Sequence, residues 1–231
     1  MLVKFGAGIL GASGSIGGTT FARNAGGSYA RQRTKPVNPN TSRQQTMRTI
    51  ISALVAEFGL TLTSAQRSAW AVYADAISVV NRLGESIKLS GYNHFIRSNS
   101  VILQCGGSMV AAGPTDLTLP PADEGLSVAI SEATQLLTIT FTEDGLWEAE
   151  DGGFLHVKMS KPVNPGRSFI GGPMRFAGAL EGDTAVPLTS PQTMSAPFPV
   201  AEGHKVMIEC RIVRADGRVS APFRTTVTVG A

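Results

Sequence analysis

The spacing of apolar residues changes once along the chain, and this change limits the folds open to it. Between residues 41 and 105 apolar residues recur every three or four positions, which is typical of helices that pack on one face. From about Ala122 onward they alternate with polar residues, which is typical of half-buried strands. One region cannot satisfy both periods, so the sequence predicts an α+β chain of more than one domain.

Residues 1–40 follow neither period. Gly, Ser, Thr and Asn dominate there, and Pro36 and Pro39 oppose a helix. We predict an extended, basic, glycine-rich arm over residues 1–40 that is mobile in the free protein, because few large side chains are present to build a core. The larger apolar and the basic residues of the arm are the predicted partner-docking set: Ile9, Leu10, Ile16, Phe21, Arg23, Tyr29, Arg31, Arg33 and Lys35.

Residues 41–105 predict a small helical unit of three helices. Capping boxes at Thr41–Gln44 and Thr63–Gln66 predict the first two helix starts, and Ser90 predicts the third. Each start is followed by an apolar stripe; the second stripe contains Trp70, Tyr73, Ile77 and Val80. Glycine favours helix ends, so we expect the helices to stop at Gly59, Gly84 and Gly106.

Residues 106–121 predict a linker, and residues 122–231 predict an antiparallel β-sandwich. The strands should be short and separated by turn signals such as Asp216-Gly217. In the longest strand Lys205, Glu209 and Arg211 fall on the face opposite an apolar row, which consists of Val206, Ile208, Cys210 and Ile212. The other expected strands lie at 126–130, 137–141, 154–159 and 225–229.

The net charge of +3 is unevenly distributed. Residues 1–56 contain seven basic and no acidic residues, and the remaining 175 contain 13 basic and 17 acidic ones. The basic arm has two interpretations: it contacts nucleic-acid phosphates, or it docks on an acidic protein surface. Nucleic-acid readers usually interleave aromatic with basic residues. Apart from Phe5 near its start, the arm offers only Phe21 and Tyr29, so we favour protein docking.

The opening residues contain a glycine pattern, Gly6 to Gly11, that fits the dinucleotide fingerprint G-x-G-x-x-G. A working fingerprint opens a helix and is followed about 20 residues later by an acid. The residues that follow are too rich in glycine for a helix, and Glu57 is the first acidic residue of the chain. We therefore predict no bound cofactor.

Catalytic and metal-binding patterns are missing from the sequence. The three histidines, His94, His156 and His204, have no second His or Cys at metal spacing, and we expect them at the surface or partly buried. The acidic run from Glu143 to Asp151 lacks the spacing of a calcium loop and predicts a solvated loop. We expect no enzyme activity, no catalytic residue and no metal.

The two cysteines, Cys105 and Cys210, lie far apart and predict buried thiols in a reducing compartment. No run of apolar residues approaches the length of a membrane span, and the segment Phe5–Ala12 is too short and too rich in glycine for a signal-peptide core. We therefore expect neither membrane insertion nor secretion.

Four strings resemble, in the same order, a group of poorly characterised tailed-bacteriophage proteins. They span about residues 14–100 and are GSIGGTTFARN, RTKPVNPNTSRQQ, LTSAQRSAWAVYA and LSGYNHFIRSN. The C-terminal string EGHKVMIECRIVRADGRVSAP resembles strands F and G of a fibronectin type III or immunoglobulin-like (Ig-like) module. In that pattern a tyrosine stands where this chain has Val206.

The phage resemblance implies a virion component that is synthesised in the host cytoplasm. An Ig-like module agrees with this, since such modules are common as exposed decorations of phage heads and tails. We expect an auxiliary capsid (decoration or cement) protein whose arm docks on the major capsid protein or another virion protein. It would be a homo-oligomer or be present in many copies, with its β-sandwich projecting outward. A head–tail connector or tail structural protein is the close alternative. A nucleic-acid-binding protein is the alternative of a different class. The hypothesis of an NAD-linked enzyme is supported only by the opening glycine pattern.

Overall fold

The computed structural model describes residues 2–4, 11–24, 26–34, 37–81, 83–170 and 172–231. Within these ranges the chain forms three α-helices and four sheets whose strand pairs are antiparallel. The predicted mixed α+β class is therefore confirmed. The predicted docking residues Ile9, Leu10 and Lys35, and most of the opening glycine pattern, lie outside the described residues.

The described part of residues 1–40 contains a sheet, which differs from the expected extended arm. Its strands are β1 (Gly14–Ile16), β2 (Thr19–Asn24) and β3 (Gly27–Gln32), in the order β1-β2-β3. Gly17 and Gly18 both have positive φ, so the chain can close a two-residue hairpin turn between β1 and β2. Leu2 pairs with Tyr29 at the other side of the sheet. The many glycines therefore serve tight turns between paired strands.

The three helices begin where the caps predict. They are α1 (Ser42–Ala56), α2 (Ser64–Ala76) and α3 (Gly91–Cys105). Thr41 and Thr63 each form both halves of a capping box, and the Ser90 hydroxyl accepts a hydrogen bond from the Asn93 amide at the start of α3. Gly106 ends α3 in the left-handed conformation, as expected.

The predicted ends of the first two helices are wrong. Beyond α1 a π-helical turn, Glu57–Thr61, carries the helix through Gly59. The second helix stops at Ala76, and the chain forms a hairpin of β4 (Ser78–Val80) and β5 (Ser86–Lys88). Two causes favour the hairpin: Val79 and Val80 are β-branched, and the Asn81 side chain accepts hydrogen bonds from the Leu83 and Glu85 amides in its loop. Val80 is consequently exposed and does not extend the stripe of α2.

The helices pack around an aromatic core. Trp70 and Tyr73 of α2 and Phe95 of α3 are fully buried, and Trp70 makes edge contacts with both other rings. The buried members of this cluster are Leu54, Leu62, Trp70, Tyr73, Ile77 and Phe95. The predicted stripe of α2 is therefore core up to Ile77.

Residues 122–231 contribute seven strands to two sheets. The strands are β6 (Ser127–Ile130), β7 (Leu136–Thr140), β8 (Phe154–Met159), β9 (Arg175–Glu181), β10 (Gln192–Ser195), β11 (Lys205–Val213) and β12 (Phe223–Thr228). One sheet has the order β10-β7-β6 and the other β12-β11-β8-β9. Buried residues of both sheets form one cluster, which includes the predicted apolar row of β11.

The helical unit contacts the rest of the chain through the predicted linker and through the packing of α3 on the four-stranded sheet. The Trp70 indole donates a hydrogen bond to the Ala111 carbonyl at 3.0 Å. The buried Asn99 side chain exchanges hydrogen bonds of 2.7 and 3.1 Å with the backbone of Val110. A third cluster joins α3 to the four-stranded sheet through Val101, Ile102, Phe154, Val213 and Val219. Within the predicted linker, Met109, Val110 and Ala111 are thus packed against the helices.

Candidate functional site

The sheet β1-β2-β3 divides the predicted docking residues between two faces. Paired residues of antiparallel strands share a face, and successive residues alternate. Phe21 pairs with Ala30 and lies on the same face as Arg23. Tyr29 pairs with Ala22, so Tyr29 and Arg31 lie on the opposite face. Each face therefore presents one aromatic and at least one basic side chain.

This N-terminal sheet has little core of its own. None of its residues belongs to the three buried clusters found among the described residues, and Ala30 is its one buried member there. Ile16 is 78% exposed on β1, the outer strand. Arg23, Arg31 and Arg33 are exposed, whereas Phe21 and Tyr29 are half-buried. A three-stranded sheet needs a packed apolar face for independent stability, so this sheet is suited to complete its burial on a partner.

Backbone groups at the β1–β2 hairpin border an open depression. It has a volume of about 470 Å³ and is lined by Gly17, Gly18, Thr19, Ala30, Arg31 and Gln32. Gly17 and Gly18 have no side chain to cover the backbone, and Arg31 places a cation at the rim. The depression can therefore accept an extended segment or an acidic side chain of a partner.

Exposed polar contacts join the segments that flank the N-terminal sheet, residues 2–4 and 37–40, to the helical unit. Lys4 Nζ lies 2.5 Å from Glu85 Oε1, and this hydrogen bond, together with one from Asn81, lowers the pKa of the Glu85 carboxyl. The Arg48 guanidinium donates to the side-chain oxygens of Asn38 and Asn40 at 2.9 and 3.2 Å. Exposed ion pairs contribute little stability. These contacts therefore add little to the stability of the fold.

A second polar group lies on the outer face of the four-stranded sheet. Lys158 of β8 and Arg224 of β12 lie directly opposite Glu209 of β11, one on each side, and Arg211 follows on β11. Glu209 was predicted on the polar face, yet it is only 4% exposed because these three cationic side chains surround it. Burial alone would raise the pKa of the Glu209 carboxyl. The hydrogen bond from Arg224 and the charges of Arg211 and Lys158 outweigh burial and lower that pKa.

Two of the three histidines are buried, which corrects the expectation of surface or partly buried rings. His94 lies edge-on against Tyr73, and burial lowers its pKa to about 4. His156 stacks on Phe176 of β9, and burial together with the charges of Lys158 and Arg211 lowers its pKa to about 3. Neither ring nitrogen of His156 has a hydrogen-bond partner within the described residues. Both rings are therefore neutral near pH 7.

The acidic loop is partly ordered by its own side chains. Glu148 is buried and accepts a hydrogen bond from the Gly145 amide, and Glu150 pairs with Arg214. The expectation of a solvated loop therefore fails for Glu148.

No group of three or more metal-ligating side chains occurs in the described ranges. Burial raises the pKa of the free Cys105 and Cys210 thiols to about 12, so both are poor nucleophiles.

No protein-family model matches the chain, and no curated protein is significantly similar to it. In the part of the chain that the structure describes, no single helix has the length and apolar character to cross a membrane. The α1–π-turn segment and α2 meet that test together only as a pair bent by 119°.

Proposed function

We propose that this chain is a structural component of a tailed-bacteriophage virion, and specifically an auxiliary capsid (decoration or cement) protein. One observation carries the proposal: the N-terminal sheet has a free outer strand and almost no core, although the rest of the described chain is well packed. A sheet of this kind gains its missing burial when it docks on another protein. The phage-like sequence segments of residues 14–100, which keep their order along the chain, indicate that the docking partner is a capsid subunit.

The strand order of residues 122–231 supports an Ig-like module as the outward-projecting part. The first, second and fifth strands of this region form one sheet, and the third, fourth, sixth and seventh form the other. This division is the one expected of a fibronectin type III sandwich, which shares the two-sheet architecture of immunoglobulin domains. The absence of a tyrosine at Val206 distinguishes this chain from the usual pattern.

A connector or tail location is the closest alternative within the same class. The copy number separates these locations, since decoration needs hundreds of copies per particle and a connector about a dozen. Mass spectrometry of purified virions, with band intensities compared with the major capsid protein, gives this number. A chain that is absent from purified virions would contradict every virion assignment.

Nucleic-acid binding is the second candidate, and the exposed Arg23, Arg31 and Arg33 favour it. The two functions differ in their dependence on salt. Contact with duplex phosphates weakens steeply, by about 0.9 in log K per log unit of salt for each phosphate neutralised. Apolar burial survives salt. We therefore expect the protein to remain on empty, DNA-free capsids at about 0.5 M salt, where the Debye length is only a few Å.

Co-sedimentation with empty capsids across a salt series tests docking directly. At high salt Phe21→Ser should release the protein more than Arg31→Ser does, because only the aromatic contact is insensitive to screening. Phe169→Ser and Arg167→Ser are the matched controls, since both residues are exposed and lie outside the N-terminal sheet. Release of the unmodified protein at moderate salt, combined with tight binding to duplex DNA at low salt, would favour the nucleic-acid function instead.

A further inference from the structure

The outer face of the four-stranded sheet carries more positive than negative charge close to the helical unit. Glu209 accepts from Arg224 at 2.7 Å, while Lys158 and Arg211 approach its other oxygen only at 3.8 and 3.4 Å. One carboxylate thus serves three cations, and its shortest contacts go to the most exposed of them, Arg224. Lys158 and Arg211 remain incompletely neutralised.

Two arginines of the helical unit add to this positive charge. Arg43, at the start of α1, lies over the Phe176 ring at 5.4 Å from its centroid and is close enough to perturb Lys158 and His156 electrostatically. Arg97 of α3 similarly interacts with Arg211. Neither Arg43 nor Arg97 has a carboxylate within ion-pair distance in the described part of the chain.

The polar groups beneath these cations are also incompletely satisfied. His156 is fully buried beside Lys158 and Arg211, and both of its nitrogens lack a partner among the described residues. Burial and the neighbouring cations lower the pKa of the Lys158 ammonium and of the Arg97 guanidinium. Crowded, half-buried cations repel one another, and a bound anion relieves this repulsion.

We propose that Lys158 and Arg211, with Arg43 from α1, form a binding site for a small oxyanion of the inorganic phosphate class. The guanidinium of Arg211 offers paired donors that match two oxygens of a tetrahedral anion, and Lys158 supplies a point charge beside it. Glu209 contacts both cations from the side of Arg224 and competes with the anion for them. Because Arg43 belongs to the helical unit, the anion links α1 to the four-stranded sheet. This site does not depend on the docking of the N-terminal sheet.

Equilibrium dialysis of the full chain against labelled inorganic phosphate, at constant ionic strength set with chloride, tests the site. The unmodified protein should bind phosphate saturably at one site. Arg211→Gln should weaken binding by about tenfold or more, as expected for the loss of a charge-assisted hydrogen bond. Arg43→Gln should weaken it less and provides a second variant, since this exposed side chain can be changed without disturbing a core. Arg167→Gln, another exposed arginine, is the control and should bind normally.

Glu209→Gln distinguishes an anion site from a purely structural ion cluster. Removal of the competing carboxylate should tighten phosphate binding by several-fold, whereas an ordinary structural role predicts no such gain. Circular dichroism establishes that each variant is folded. The proposal is overturned if the unmodified protein shows no saturable binding, if Arg167→Gln weakens binding as much as Arg211→Gln and Arg43→Gln do, or if folded Glu209→Gln binds phosphate no more tightly.

Discussion

The N-terminal sheet β1-β2-β3 and the C-terminal sheet β12-β11-β8-β9 are both antiparallel, but they are stabilised differently. Strand β11 is buried along most of its length and packs into the main core, whereas β1 is exposed throughout. The first sheet is held by turns and ladder hydrogen bonds, and the second by buried side chains as well. The difference shows that strand pairing can be encoded locally even where little apolar surface is buried.

Hydrogen exchange should give the largest contrast between the two sheets. We expect backbone amides of β2 and β3 in the free protein to exchange about a thousandfold faster than those of β8 and β11, because local opening of the N-terminal sheet exposes almost no core. Mass-spectrometric exchange of the isolated chain measures this ratio. In particles the N-terminal amides should become protected, and trypsin should no longer cut at Arg23, Arg31 or Arg33. Equal protection of these amides with and without the particle would contradict docking of the N-terminal sheet.

Truncation of one buried and one half-buried side chain should give the next largest difference. Ile208→Ala removes a fully buried side chain of β11 and should lower the free energy of unfolding by about 2–5 kcal/mol. Phe21→Ala should change the main unfolding transition by less than about 0.5 kcal/mol, because Phe21 lies outside the buried clusters. Urea denaturation measures both values, with Val186→Ala as the exposed control. Similar losses at Ile208 and Phe21 would show that the two sheets share one cooperative core.

A smaller effect is expected where residues 106–121 pack on the helices. Asn99→Ala leaves the Val110 amide and carbonyl without their side-chain partner and should cost about 1–3 kcal/mol. Asn93→Ala, at an exposed position of the same helix, is the control. Urea denaturation should show the loss within the main transition. If the Asn99 variant is as stable as the Asn93 variant, residues 106–121 behave as a free linker.

The smallest effect should come from the exposed pair of Lys4 and Glu85. The folded protein lowers the pKa of Glu85 below its usual 4.5, so this contact stabilises the fold above that pH and is lost as the pH falls through the lower, folded value. Lys4→Ala should therefore speed exchange of the Val3 amide at pH 7 and have no effect once Glu85 is protonated. Exchange measured at both pH values checks the sign. An effect that grows at low pH would contradict the ion pair.

The sequence identifies helix starts and the long strand better than it identifies helix ends and small-residue strands. Caps are local, so Thr41, Thr63 and Ser90 could be located without tertiary information. Strand β9 was not predicted, because Ala177, Gly178 and Ala179 interrupt the alternation. The sheet β1-β2-β3 was not predicted either, since its strands contain few apolar residues.

The candidate docking residues could be listed from the sequence, but their arrangement could not. Whether Arg23 and Arg31 share a face depends on the register of β2 and β3, which composition does not give. The cationic group around Glu209 was also beyond prediction. Its members lie on three strands, with Arg43 of α1 nearby, and only the folded chain brings them together.

The packing of Trp70 makes this side chain an intrinsic fluorescence probe of the contacts around the helical unit. Its indole donates to Ala111 and lies against Gly217 in the β11–β12 turn, so it detects separation of the helical unit from either segment. Trp147, the other tryptophan, is buried in the main β core. The N-terminal sheet has no tryptophan, so its docking should leave the intrinsic emission nearly unchanged. A shift in emission on binding a particle would then report rearrangement within the body of the protein.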